Sequence, residues 1–401
     1  MSNTPQQRPG MLAGIRVVEL GSVIMVPYAA QQLGDLGADV IKVEPPGGDM
    51  TRAYPPARHP GMGGPALNLN RNKRSVAIDL KAPHGREALL ALLRTADVFV
   101  TNVRPQALAR LRLTQVELAA VNPRLIQVNA QGFRADSELG GHAAYDDIIQ
   151  AVSGLVWMNQ QVTGEPHFVP TLLADKICGL TITQAVLAAL VHRSNGGGGQ
   201  HIEVPMADVM MAFNLVEHLG EAVFDPDGRY GAPRSLSPAR RAQRTADGWM
   251  CILPHSNRNW REFCTFAERP ELADDPRFTS GALRAHNADA LYSVLDELAQ
   301  RHTTAEWRQF CDEHSIPASP VHSLESAVAT GYARESGVLT EVEHPTEGVY
   351  RWIGRPVRYS ADPTPPLRPC PAIGEHTDEV LREAGFDSAL LKAESEPVAS
   401  A

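Results

Sequence analysis

The chain has 401 residues, long for a single domain, and 43% of them are hydrophobic, which supplies a sizeable core. A formal charge of −9 argues against nucleic acid as a partner, and 21% charged residues is ordinary for a soluble protein. No run in the sequence reads as the roughly 20 apolar residues that cross a bilayer, and the polar, proline-rich Met1 to Gly10 lacks the apolar centre of a signal peptide.

The elements begin with LAGIRVVEL and GADVIKVE, two apolar strands separated by PYAAQQLGDLG, which has helical spacing and stops at Gly37. This β-α-β opening predicts a parallel sheet. Its first turn, Gly21 to Pro27, lacks the three glycines that bring a backbone against a pyrophosphate, so a nicotinamide cofactor is not expected. SVAIDL, DVFVT and LIQVNA continue as strands, with helices over GREALLALLR and around Glu117 to Val121. The alternation predicts a doubly wound α/β sheet. Ile177 to Val191 is apolar on most faces and reads as a buried helix. HIEVP follows as a strand, then a helix from Met206 whose methionines Met206, Met210 and Met211 read as core.

Phe224 to Gly248 is rich in Pro, Gly and Arg and reads as a linker. Beyond it, WMCILP reads as a strand, with helices over NRNWREFCTFA, ADALYSVLDELAQR and TAEWRQFCDEHS. The expected division is a large doubly wound α/β domain over 1–223, a linker over 224–247, a small α+β domain over 248–325 and a return segment over 326–401. The last part contains a Pro-rich stretch from Asp362 to Pro371, a helix ending near Gly385 and a tail after Glu394 expected to be disordered. The five scattered cysteines fit free thiols in a reducing cytoplasm. Fourteen histidines without paired-ligand spacing predict no metal.

Several motifs occur in order: GGDMTR (Gly47 to Arg52), NRNKRSVAIDLK (Asn70 to Lys81), NVRPQALARL (Asn102 to Leu111), NPRLI (Asn122 to Ile126) and GEHTDEVLREAGF (Gly374 to Phe386). In these the chain resembles the class III coenzyme A transferases, typified by formyl-CoA transferase and the carnitine-CoA transferases. The resemblance implies that CoA moves between an acyl-CoA thioester and a small carboxylic acid, with CoA as substrate. It also implies an interlocked homodimer in which the C-terminal segment returns to the first domain.

By the same resemblance Asp175 is the nucleophile. Residue type and position alone also allow a helix N-cap, since Asp commonly accepts from the first free amides. A carboxylate at a helix N-terminus is expected to stay ionised, the form that attacks. Tyr145 and Asp146, 30 residues earlier, match an aromatic–acidic pair of the family; packing for Tyr145 and a cap for Asp146 are the competing readings. The related α-methylacyl-CoA racemases need a His at the position of Tyr145, and a phenol with pKa near 10 is a poor base. His142 stands three residues too early to replace it. For the CoA phosphates the motif match names Asn70, Lys73, Asn102, Val103 and Arg110, with Arg104 beside them. The Arg234, Arg240, Arg241 and Arg244 cluster is expected to serve linker or interface pairing.

Formyl-CoA transferase has Gln-Ala-Gly-Pro where this chain has Ile24-Met25-Val26-Pro27, and Arg at Pro45. Its glycine-rich active-site loop has no counterpart beyond the linker. The more apolar wall points to an acid larger and less polar than oxalate or formate. The competing functions are a racemase or isomerase of acyl-CoA and a CoA-binding protein without turnover.

Overall fold

The computed structural model describes residues 10–361 and 367–395. The start of the polar N-terminus, residues 362–366 of the Pro-rich stretch and residues 396–401 of the expected disordered tail lie outside the described residues. The chain divides into two compact units. One holds the stretches up to Ile149, Thr171–Met211 and from Tyr332 on; the other holds Gln150–Pro170 and Ala212–Gly331. The second unit therefore takes residues 150–170 and 212–247, which the sequence reading gives to the large domain and the linker.

In the first unit six strands form one parallel sheet: β1 (Arg16–Leu20), β2 (Asp39–Glu44), β3 (Lys73–Ala77), β4 (Val98–Thr101), β5 (Ile126–Gln131) and β6 (Gln200–Pro205). Their order is β3-β2-β1-β4-β5-β6, so the winding reverses between β1 and β4. The strands there read as near-continuous apolar runs because helices cover both faces of a parallel sheet. Helix α1 (Met25–Asp35) connects β1 to β2, and α2 (Pro105–Arg110) follows β4. Next come α3 (Asp146–Val152), α4 (Leu173–Ser194) and α5 (Met206–His218).

The middle of the sheet carries buried charge. Glu19 on β1 lies in register with Lys42 on β2, and Lys42 Nζ meets Glu19 at 2.8 Å and Asp49 at 3.0 Å. Lys73 on β3 closes the row, 2.7 Å from Glu19. A buried ion pair is retained only when nearly every donor and acceptor finds a partner, and removing one member leaves a stranded charge.

Helix α4 differs from its sequence reading. It buries Ala174, Asp175, Cys178, Gly179, Ile182, Thr183, Val186 and Ala189, while Leu180 and Val191 are 50% and 60% exposed. By length and composition it could cross a membrane, which the sequence reading did not anticipate. It instead packs its small-residue face on α1, as a core helix does. Met206 and Met210 are core as expected; Met211 is 38% exposed.

The C-terminal helix Thr377–Glu383 inserts Val380 and Leu381 among Leu89, Leu92 and Ile78, and Arg74 pairs with both Glu379 and Glu383. A further helix, Ala389–Ser395, follows the one that the sequence reading ends near Gly385.

The second unit has a three-stranded antiparallel sheet, β7 (Gln243–Arg244), β8 (Trp249–Ile252) and β9 (Ala318–Pro320). Against it lie α6 (Asn257–Phe266), α7 (Gly281–His286), α8 (Ala288–Ala299) and α9 (Thr304–His314). Its core is aromatic, built from Trp260, Phe263, Phe278, Trp307 and Phe310. Capping boxes from Ser256 and Thr303 start α6 and α9 by satisfying amides that have no intrahelical partner. Arg241 pairs with Asp296 in this unit at 2.8 Å.

Candidate active site

A crevice of about 360 Å³ opens at the carboxyl ends of the strands of the first unit. It is lined by the turn after β1 (Ser22 to Met25), the segment after β4 (Asn102 to Ala107), the end of β5 and Met206 after β6. Open α/β sheets place ligands at this edge, where the strand order reverses. Gly141 to Tyr145 and Asp175 complete the wall.

The local sequence explains how Asp175 gets there. Asp175, Gly179 and Thr183 are spaced by four residues, so they share one face of α4. A Cβ on Gly179 would come within 2.9 Å of Met25 O and of the Tyr28 ring, closer than real contacts allow. The missing side chain lets α4 settle on the first turn of α1, and Thr183 Oγ1 contacts Ala29 O at 3.4 Å. Gly132 makes the same allowance for the other wall, since a Cβ there would lie 2.4 Å from Ala144 Cβ.

Asp175 is third in its helix and is not the N-cap; Leu172 holds that position and supplies no side-chain cap. The missing acceptor comes from Asp146, whose carboxylate takes the backbone N–H of Asp175 at 3.0 Å. Asp146 itself begins α3, and its carboxylate helps to cap α4. Tyr145 is 65% exposed and lines the crevice with Asp175. His142, set aside on spacing, lines it too.

The expectation that Asp175 stays fully ionised needs correction. Burial, reinforced by the charge of Asp146, pushes its carboxyl up to about 7. The favourable helix terminus does not offset the loss of water. Cys178, one turn on, is pushed up to about 12 by burial and is not a reactive thiol at neutral pH.

The remaining sequence candidates separate into two groups. Asn102, Val103 and Arg104 line the crevice. The Asn102 side chain is a clamp: Oδ1 accepts from Ser22 N at 3.1 Å and Nδ2 donates to Ser22 O at 3.0 Å. It holds a turn in which Val23 has φ +68°, a strained value for a β-branched residue. Arg110 lines an adjoining cavity of about 590 Å³ with Lys81, Pro45 and Asp79, and Ala107 borders both spaces. Asn70 and Lys73 are not brought to the crevice. Lys73 is buried, donating to Pro27 O at 2.9 Å and Asn70 Oδ1 at 3.2 Å beside Glu19. Lys81 went unselected in the sequence, although it ends the same motif. Among the described residues no group of His, Cys, Asp and Glu could hold a metal ion.

The chain is 33% identical over 398 residues to succinate–glutarate CoA-transferase of Agrobacterium fabrum, covering 96% of this chain and 98% of that one. It is 30% identical over 379 residues to human succinyl-CoA:glutarate CoA-transferase, covering 93% and 85%. Among solved structures, a CAIB/BAIF family protein from Brucella suis superposes with a TM-score of 0.81 at 28% identity, covering 94% of this chain and 100% of that one. The D175A mutant of Rv3272 from Mycobacterium tuberculosis gives a TM-score of 0.80 at 30% identity, covering 93% and 99%. The model of CoA-transferase family III matches residues 12–377, and the chain belongs to that family.

Proposed function

We propose that this CoA-transferase exchanges CoA between an acyl-CoA and a free carboxylic acid through covalent intermediates on Asp175. The observation that carries the reading is one acidic side chain, buried beside a capping carboxylate, in a crevice at the reversal point of the sheet. The Asp175 carboxylate attacks the thioester carbonyl, the C–S bond breaks, and CoA thiolate leaves behind a mixed anhydride. Thiolate then attacks the Asp175 carbonyl, forming an aspartyl-CoA thioester and releasing the donor carboxylate. The acceptor carboxylate attacks that thioester to give a second anhydride and thiolate. Thiolate finally takes the acceptor acyl group and frees Asp175. Each step conserves the activated bond, and an enclosed site limits hydrolysis of the anhydrides.

The acyl-CoA is proposed to run from the crevice past Ala107 into the neighbouring cavity, where Arg110 and Lys81 meet its phosphates. Asn102, Val103 and Arg104 border the pantetheine path; Asn70 and Lys73 support the sheet beneath it. Apolar Val23, Ile24, Phe133 and Met206, together with Arg104 and His142, suit an acid larger and less polar than oxalate. Four- and five-carbon dicarboxylates, which appear in the relatives' names, are the first to test.

A homodimer completes the proposal. Besides Leu180 and Val191 on α4, Val216 and Phe224 are 83% and 94% exposed, and the helix Leu155–Thr163 buries no residue. Apolar surface on this scale is normally covered by a partner chain, and light scattering during size exclusion reads the oligomeric state.

The decisive experiment is intact-protein mass spectrometry after incubation with succinyl-CoA, glutaryl-CoA and longer acyl-CoAs, followed by hydroxylamine. Mass added at Asp175 supports the reading; transfer without an adduct, undiminished in Asp175→Asn, overturns it. His142 in the crevice favours one second reading, proton exchange at the α-carbon. Asp175-dependent wash-in of deuterium without an acceptor acid would support that reading.

A further inference from the structure

The second unit holds a cavity of about 490 Å³ at which α7 and α8 meet the loop after β8. Arg284 lines it and is 4% exposed. Its guanidinium donates to Phe278 O at 2.8 Å, His255 O at 2.8 Å and Asn257 Oδ1 at 3.0 Å, all neutral acceptors. Among the described residues no carboxylate is paired with it, and burial holds it below the usual arginine range. Buried guanidinium groups ordinarily face a carboxylate or phosphate, because neutral carbonyls do not balance the charge.

A second cation stands at the same cavity. Arg234, exposed at its edge, donates from Nε to the buried Tyr292 hydroxyl at 3.0 Å. His255 also lines the space, and none of the lining residues is acidic. The rest of the wall is largely aliphatic, including Leu253, Ala288, Leu291, Leu295 and Pro317. Two arginines lining an otherwise largely apolar chamber match a ligand with one anionic head and a hydrocarbon tail.

We propose that this cavity between α7 and α8 is a second binding site, for a medium-chain carboxylate held by Arg234 and Arg284. It lies wholly in the second unit, shares no residue with the Asp175 crevice and does not depend on the transferase reading. Its function would be to sense or store a free acid apart from the reacting centre.

The test is isothermal titration of the full chain with octanoate, with octanamide as the uncharged counterpart and inorganic phosphate as the headgroup alone. Octanoate is expected to bind, with octanamide and Arg234→Gln each weakening the interaction by about tenfold or more. Phosphate alone should bind much more weakly, because it makes no contact with the aliphatic wall. Gly281→Leu should also weaken it, since a Cβ there meets only Arg284 Nη2 at 3.8 Å and the added chain starts at the cavity wall. Asp175→Asn should leave it unchanged. Equal binding of acid and amide, no heat with octanoate, or binding lost in Asp175→Asn but retained in Arg234→Gln would each overturn the proposal. An unchanged melting temperature for Arg234→Gln excludes misfolding as the cause of a loss.

Discussion

The backbone N–H of Asp175 donates to the Asp146 carboxylate at 3.0 Å, so one acid positions the helical turn that presents the other. The arrangement has two consequences. It fixes where the Asp175 carboxyl stands, and it adds a negative charge that strengthens the carboxyl's hold on a proton.

On the proposed mechanism, in which the ionised Asp175 carboxylate attacks, the acyl-CoA reaction should rise with pH through an apparent pKa near 7. Asp146→Asn keeps an acceptor oxygen for the Asp175 amide and removes the charge, so the acid limb should move to lower pH. Burial is the larger cause of the shift and remains, so the limb should not return to 3.8. A kcat/KM profile from pH 5 to 9 reads both changes; an unmoved limb would deny the coupling.

Stability should carry the same signature. The folded pKa of Asp175, about 7, lies above its ordinary 3.8, so the native state binds the proton more tightly than the unfolded chain. Its contribution is then most favourable below about pH 4 and declines as pH rises through 7. Asp175→Asn should stabilise the protein at pH 8 by roughly 1–3 kcal/mol, with the difference vanishing towards pH 4. Denaturant titrations at both pH values measure it, and an equal gain at each would contradict the assignment.

Gly179 should prove as sensitive as a catalytic position. Gly179→Ala forces a Cβ into Met25 O and the Tyr28 ring, pushing α4 away from α1. The expected cost is about 1–3 kcal/mol. The displaced carboxylate should lower kcat by about 10- to 100-fold. Wild-type turnover in a correctly folded Gly179→Ala protein would show that the helix contact does not position the acid.

Two basic residues of the sequence motifs should separate cleanly. Arg110→Ala should raise KM for acyl-CoA by about tenfold with little change in kcat. Lys73→Met should leave KM alone and destabilise the fold by roughly 3–5 kcal/mol, because Glu19 loses a buried partner. Steady-state kinetics and a melting curve for each variant distinguish the two outcomes.

Much of the parallel sheet was legible because strands covered on both faces are written as apolar runs such as RVVEL and DVIKVE. Helix α4 was less so: an apolar composition does not say that Leu180 and Val191 face outwards. The Tyr145–Asp146 segment could be aligned with Asp175 by motif, yet nothing in the spacing shows that Asp146 caps Asp175's own helix.

The sequence by itself determined the alternation of strands and helices, the family motifs and the place of Asp175 near the start of an apolar helix, since these depend on local pattern. Tertiary structure decided which charges face cavities and which stay inside. Lys73 and Arg110 look alike as basic residues in neighbouring motifs, but one is buried on β3 against Glu19 and the other lines a cavity. It also decided the protonation of Asp175. Burial and charge–charge distance are properties of chain segments meeting in space, and a carboxyl's affinity for its proton follows from both.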